Sequence, residues 1–198
     1  VHPNRTLWER LLPYLIENYT QWEIERQLDN GLFWQIDDRD GMEYSIGGTG
    51  ARPTINSYMF GDANAISYIA SELGQLEIAD EFKKKAVDIK QRVQTLLWDN
   101  QAAFFKTRTH QDAQSHFAHE PNYPHDALVN VREQMGYTPW YFNLPDPGYD
   151  AAWKQLMDPE GFYAPFGPTT AEQRHPQFTI SNTGHHCQWN GPSWPFAT

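Results

Sequence analysis

Apolar residues recur at helical spacing in three stretches of the first half of this chain, and the rhythm weakens after that. Residues 6 to 27 place Trp8, Leu11, Leu12, Leu15, Tyr19 and Trp22 on one face of a helical period. Pro13 falls inside this stretch, so the helix either begins near it or bends there. Asn30-Gly31 is a stop signal. A second stripe, Ile55, Tyr58, Met59, Ile66, Ile69, Ala70 and Leu73, follows Pro53-Thr54, where proline is tolerated in a first turn. A third carries Ile78, Phe82, Ala86, Ile89, Val93 and Leu97. Gly74 reads as a C-cap, and only Gly74-Gln75 links the two stripes. The spacing therefore predicts an antiparallel αα-hairpin over 54–73 and 76–97. The charge-rich run from Glu77 to Lys90 fits its solvated outer face.

Beyond the hairpin the pattern predicts less. Ala103 to Thr107 suits a short strand, 108–127 an irregular excursion, and 127–142 and 147–157 further helix. From Asp158 to Gln188, glycines and prolines mark loop, and Pro192 to Thr198 suits the first turns of another helix. No low-complexity tract or sequence repeat is present.

Between the first two helical stretches lies Gly31 to Asn56, which mixes acids, two arginines and aromatic rings among glycines. A loop of that length inside a compact domain is uncommon unless it binds or catalyses. Glu43, between Met42 and Tyr44, is its candidate proton donor, because partial desolvation of a carboxyl raises its pKa. The competing role for Glu43 is a loop-stabilising ion pair with Arg39 or Arg52. Asp37, Asp38 and Asp40 also suit turns and caps.

Composition narrows the partners. A net charge of -10 argues against nucleic acid or an anionic membrane surface, and no apolar run is long enough to span a bilayer. Aromatics make up 15% of a chain with mean hydropathy -0.72, so many rings stand beside polar residues, as on a sugar-stacking surface or in a core of large side chains. Cys187 is the one cysteine, which rules out an internal disulfide. It follows His185 and His186, but no second His/Cys cluster completes a metal site, and His110, His116, His119 and His125 lack ligand spacing. No metal or cofactor is expected. The sequons Asn4-Arg5-Thr6 and Asn18-Tyr19-Thr20 tilt the expectation toward a secreted or periplasmic protein. The chain starts without Met and stops inside an apparent motif, as a fragment would.

Several local patterns, in order, resemble the (α/α)6-barrel glycoside hydrolases of the clan that holds inverting trehalases, processing α-glucosidases and mannosylglycerate hydrolases. Arg39-Asp40-Gly41-Met42-Glu43-Tyr44-Ser45 matches the spacing of the family's Glu/Asp-Ser-Gly-x-Asp-x-Ser loop, with Glu43 where the general acid Asp stands. Asn56-Ser57-Tyr58-Met59-Phe60 is similar to the start of the next helix, and Leu96-Leu97-Trp98-Asp99 to the hairpin's end. Gly136-Tyr137-Thr138-Pro139-Trp140 resembles a Gly-Phe-x-Pro-Leu element. Asp158-Pro159-Glu160-Gly161-Phe162 with Phe166-Gly167-Pro168-Thr169-Thr170 looks like the loop that closes the glycone pocket. Gln188-Trp189-Asn190-Gly191-Pro192-Ser193-Trp194 is similar to the Gln-Trp-Asp-Gly-Pro-x-Trp signature.

The resemblance implies an all-α chain, 1–198 being part of a single (α/α)6 catalytic domain and an incomplete barrel. It implies an inverting glycosidase acting on an oligosaccharide or polysaccharide, with Glu43 as acid. The general base would lie past Thr198, on a missing remainder of the domain or another copy, and this stretch alone would be nearly inactive. Trp34, Trp140, Phe166, Trp189 and Trp194 would offer faces to sugar C–H groups, with Asp38, Arg52, Asn56, Gln188 and Asn190 bonding hydroxyls. Core packing competes for every tryptophan. Two departures stand out: Glu replaces the shorter Asp, and 108–127 is an insert without a family counterpart, which leaves room for an arabinosyl or other plant-polysaccharide substrate. A non-catalytic carbohydrate-binding fragment and a helical interaction scaffold are the rival readings.

Overall fold

A computed structural model describes residues 4–110, 124–182 and 184–195. Helix α1 runs unbroken from Arg5 to Arg26 through Pro13, and the Asn4 side chain caps it by accepting the Leu7 amide at 3.0 Å. Its apolar stripe is only partly covered. Leu12 and Tyr19 are buried, whereas Leu7, Leu11 and Leu15 are exposed.

The expected hairpin is present as α2 (Pro53–Glu72) and α3 (Leu76–Arg92), with Pro53 in the first turn of α2. Gly74 adopts φ +78, and the Gln75 amide returns to the Ala70 carbonyl at 2.8 Å, a turn that reverses the chain in two residues. Ile55, Met59, Ala63, Ile66 and Ala70 are buried on α2, and Ala79, Phe82, Ala86 and Ile89 on α3. They form one core with Phe33, Val93, Leu97 and Phe105. Ser67 locks the pair further by donating to the Ala79 carbonyl at 2.8 Å. Glu77, Asp80, Glu81, Lys83, Lys84 and Asp88 stay exposed on the outer face. The helical run reaches Leu97 as expected, but Val93–Leu97 is a wider π turn.

Two-residue strands β1 (Trp98–Asp99) and β2 (Phe104–Phe105) then pair antiparallel, with Trp98 opposite Phe105. The expected helix over 127–142 is largely replaced by extended chain. Val129 donates its amide to the Thr107 carbonyl at 3.0 Å, and Gln134 to that of Thr170 at 2.8 Å. Those partners satisfy the backbone across the fold, and the β-branched Val129 and Val131 suit the extended form. Only a 3-10 turn at Gln134–Tyr137 and the single helical turn α4 (Thr138–Tyr141) remain. Asp150–Met157 is 3-10 helix. Residues 158–182 are turns and loop, as the glycines and prolines imply. Pro192–Trp194 contain no helix, and the end of that expected element, like most of the 108–127 insert with His116 and His119, lies outside the described residues.

Candidate functional site

The loop from Asp37 to Arg52 is held from within by charge. Arg52 has no exposed surface, and its guanidinium meets Asp37 at 2.6 Å and Asp40 at 3.0 Å. It also donates to the carbonyls of Met42 and Gly48, both at 3.0 Å, and so grips the loop on either side of Glu43. Its pKa is pushed further up, since the pull of Asp40 and Asp37 outweighs the opposing effect of burial.

Five successive amides, Tyr44 to Gly48, each donate to a side chain. Tyr44 (2.8 Å) and Ser45 (3.2 Å) donate to Asp37. Ile46 (2.8 Å) and Gly47 (3.1 Å) donate to Glu133, and Gly48 (3.0 Å) donates to the Ser45 hydroxyl. That hydroxyl in turn donates to Asp37. Tyr44 sits at φ +61, a left-handed backbone that a bulky residue keeps only when its surroundings hold it there. Its ring stacks on His185, with centroids 5.1 Å apart.

Glu43, the expected acid, immediately precedes this strained residue. It is half-buried, and its carbonyl accepts the Trp189 amide at 3.1 Å. One carboxylate oxygen, Oε2, is buried without a hydrogen-bond partner. The Cys187 thiol lies beside it, and burial, followed by the neighbouring Glu43 carboxylate, pushes that thiol up to about 11. Glu43 and Trp189 are therefore joined through the backbone, whereas Arg52 lies beneath the surface, and neither Glu43 nor Arg52 lines the neighbouring cleft.

A cleft of about 870 Å³ opens beside this loop. Met42, Met135 and Trp189 pack together at its floor, and Tyr58, Tyr137, Tyr141 and Trp153 stand along it. None of its lining side chains is charged. Its size and aromatic lining suit an organic ligand, with stacking as the main contact.

The other expected contact residues divide into groups. Trp194 stacks on Trp189 at 6.0 Å and donates its Nε1 to the Gln188 carbonyl at 2.8 Å. Gln188 and Asn190 are buried and joined side chain to side chain at 3.2 Å. Phe166 is 98% exposed, on the tip of a loop whose Tyr163, Gly167 and Pro168 reach the cleft. Trp140 is half-buried among Phe105, Tyr137 and Trp153. Asn56 is buried and spans the Phe33 amide and carbonyl, both at 2.8 Å, so it fastens α2 to the loop's start. Trp34 lies away from the cleft lining, under Arg26 at 4.4 Å and against His110. Asp38 is exposed and pairs with Arg39 at 3.2 Å. Arg52 and Asn56 thus turn their polar atoms inward, to the protein rather than to a hydroxyl.

Sequence reasoning passed over Asp37, Ser45 and Glu133. Asp37 was legible only as a turn residue, and nothing local to Glu133 points 86 residues back to Gly47. Among the described residues no group of three or more His, Cys, Asp or Glu is placed to hold a metal. No helix among them is long and apolar enough to cross a membrane.

Comparison with known proteins agrees with this architecture. The chain is 43% identical to a solved sialidase, with a TM-score of 0.82 over 95% of this chain and 16% of that one. A GH63 mannosylglycerate hydrolase from Thermus thermophilus in complex with glucose superposes with a TM-score of 0.71 at 16% identity, over 98% of this chain and 54% of that one. A GH78 family rhamnosidase from a Bacillus species gives 0.58 at 17% identity, over 79% of this chain and 15% of that one. No curated protein matches significantly. The chain thus spans a sixth of the sialidase's length and about half of the mannosylglycerate hydrolase's, and its helix-rich fold is that of an incomplete (α/α) barrel. A family model for the mannosylglycerate hydrolase MGH1-like glycoside hydrolase domain matches residues 1–198, and the chain belongs to that family.

Proposed function

We propose that this stretch is the acid-bearing part of a glycoside hydrolase domain, with Glu43 protonating the departing glycosidic oxygen. The observation that carries the reading is the placement of Glu43. Its loop is fixed by hydrogen bonds from five successive amides and by a buried arginine, and its own side chain is only half-buried. A carboxyl group on a rigidly held loop that keeps part of its side chain open is suited to give a proton to a ligand. Trp189, tied to Glu43 through the backbone, is fully buried as core, and the half-buried Trp194 stacked on it supplies an apolar face for a sugar ring, supported by Gln188 and Asn190. The uncharged cleft suits a neutral part of an oligosaccharide or polysaccharide, with Trp140 packed against its Tyr137 and Trp153 and Phe166 next in sequence to its Gly167. Arg52, Asn56, Asp38 and Trp34 act on loop geometry in this reading, not on the sugar.

Inverting hydrolysis also requires a carboxylate about 6.5–9.5 Å across the scissile bond to activate water. We assign that base to the part of the relatives' fold that this chain does not span, whether carried by further sequence or by another copy. A panel of glycosides offered to the full-length protein, with the product anomer read by proton NMR, tests the proposal. Release of the inverted anomer, slowed by about 10²–10⁴-fold on natural linkages in Glu43→Gln, is expected. A retained anomer overturns inversion, and hydrolysis unaffected by Glu43→Gln overturns the acid.

A further inference from the structure

Glu133 is 3% exposed, and its Oε1 receives the amides of Ile46 at 2.8 Å and Gly47 at 3.1 Å. It reaches them from the segment that also builds the cleft, since Gln134, Met135 and Tyr137 line it. Glu133 is itself anchored on the far side, where it bridges Ala171 and where Gln134 donates to the Thr170 carbonyl at 2.8 Å. Gly47 leaves room for this carboxyl, because a Cβ there would collide with Oε2. One carboxylate thus joins the loop's 46–47 turn to the cleft wall.

We infer that Glu133 is a positioning residue, which holds the Glu43 loop in register with the cleft wall by binding two consecutive amides. The inference rests on the proposal that Glu43 is the acid, but the clamp has its own readout. Displacement of a reacting group by about 1 Å can cost on the order of 10²-fold in rate, so a clamp three residues from the acid bears on turnover rather than on binding. The charges that act on Glu133 are Arg52, which favours its ionised form, and Asp37, which opposes it. Arg132 and Glu172, next in the same extended pair, are spent on each other at 2.7 Å. Burial outweighs Arg52 and the two amides and pushes Glu133 up to about 7. Its charge, and with it the strength of both amide bonds, therefore changes near neutral pH.

Two measurements on the full-length protein test this. Amide NMR of Ile46 and Gly47 is expected to titrate together with a midpoint near neutrality in the parent, and to lose that titration in Glu133→Gln. Amides indifferent to both pH and substitution would overturn the clamp. On natural glycosidic linkages, whose leaving alcohol needs the proton, Glu133→Ala is expected to lower kcat at least tenfold with KM within about twofold. Glu133→Gln keeps an acceptor oxygen, so it is expected to recover most of that loss and to lack the near-neutral inflection of the pH profile. Equal loss in both variants, or a loss confined to KM, would overturn positioning. Titrating amides in a protein whose turnover ignores Glu43→Gln would instead sink the acid assignment and leave the clamp standing.

Discussion

The α2–α3 hairpin and the Asp37–Arg52 loop are packed side by side and are held in opposite ways. The hairpin is fastened by apolar side chains that meet across two helices, and any one of them shares its task with its neighbours. The loop carries few apolar contacts and depends on one guanidinium, two buried aspartates and one distant glutamate. Hydrophobic packing is distributed and tolerant, whereas a buried polar network fails when a single member is removed. That rigidity suits a loop that has to present one carboxyl group accurately, and it leaves the supporting members exposed to mutation.

The sharpest way to break the contrast is Arg52→Met. It leaves Asp37 and Asp40 buried without their cation, and loss of about 3–5 kcal/mol of stability is expected by denaturant unfolding. A loss below about 1 kcal/mol, the scale of an exposed ion pair, would mean that the loop does not depend on its arginine. Ile66→Ala, in the middle of the hairpin, is expected to cost about 2–5 kcal/mol, with the smaller end expected if its neighbours close the gap. If Ile66→Ala instead exceeds Arg52→Met, the two regions have been ranked in the wrong order.

Glu133 sharpens the comparison through pH. Its folded-state pKa is raised from 4.5 to about 7, so its contribution to stability is fullest below pH 4.5 and is lost as pH rises through 7. Glu133→Gln, which does not titrate, is therefore expected to gain on the parent by up to about 1.4 kcal/mol per pH unit between those limits and to level off above them. Melting curves of both proteins from about pH 4 to 8, which bracket that window, check this, and a parent that gains on Glu133→Gln with rising pH would contradict the sign. The smallest effect is expected at the hairpin's turn. Gly74→Ala places a side chain at φ +78 with open space around it, so only backbone strain of about 1–2 kcal/mol is expected in thermal unfolding.

The same contrast explains what the sequence could disclose. The hairpin was legible because periodic residues such as Ile66 and Phe82 carry their own burial signal, and Gly74 marks the reversal. The loop announced its chemistry through Glu43 and its glycines, but its architecture depends on pairings that no local pattern encodes. Arg52 reads from sequence as a sugar contact, and only the placement of Asp37 and Asp40 around it reveals an internal tie. The stretch 127–133 reads as weak helix, since its partners at Thr107 and Thr170 become visible only when the chain is folded.

The central claim is that Glu43 delivers a proton to the leaving group, and the dependence of rate on that group tests it most directly. In the full-length protein, Glu43→Gln keeps the side chain's size but has no acidic proton. On natural linkages, whose leaving alcohol needs protonation, it is expected to lower kcat/KM by about 10²–10⁴-fold. On glycosides of strongly acidic phenols, which depart unprotonated, it is expected to retain a rate close to the parent's. Equal losses on both substrates would contradict the claim and make Glu43 a residue that binds or orients the sugar.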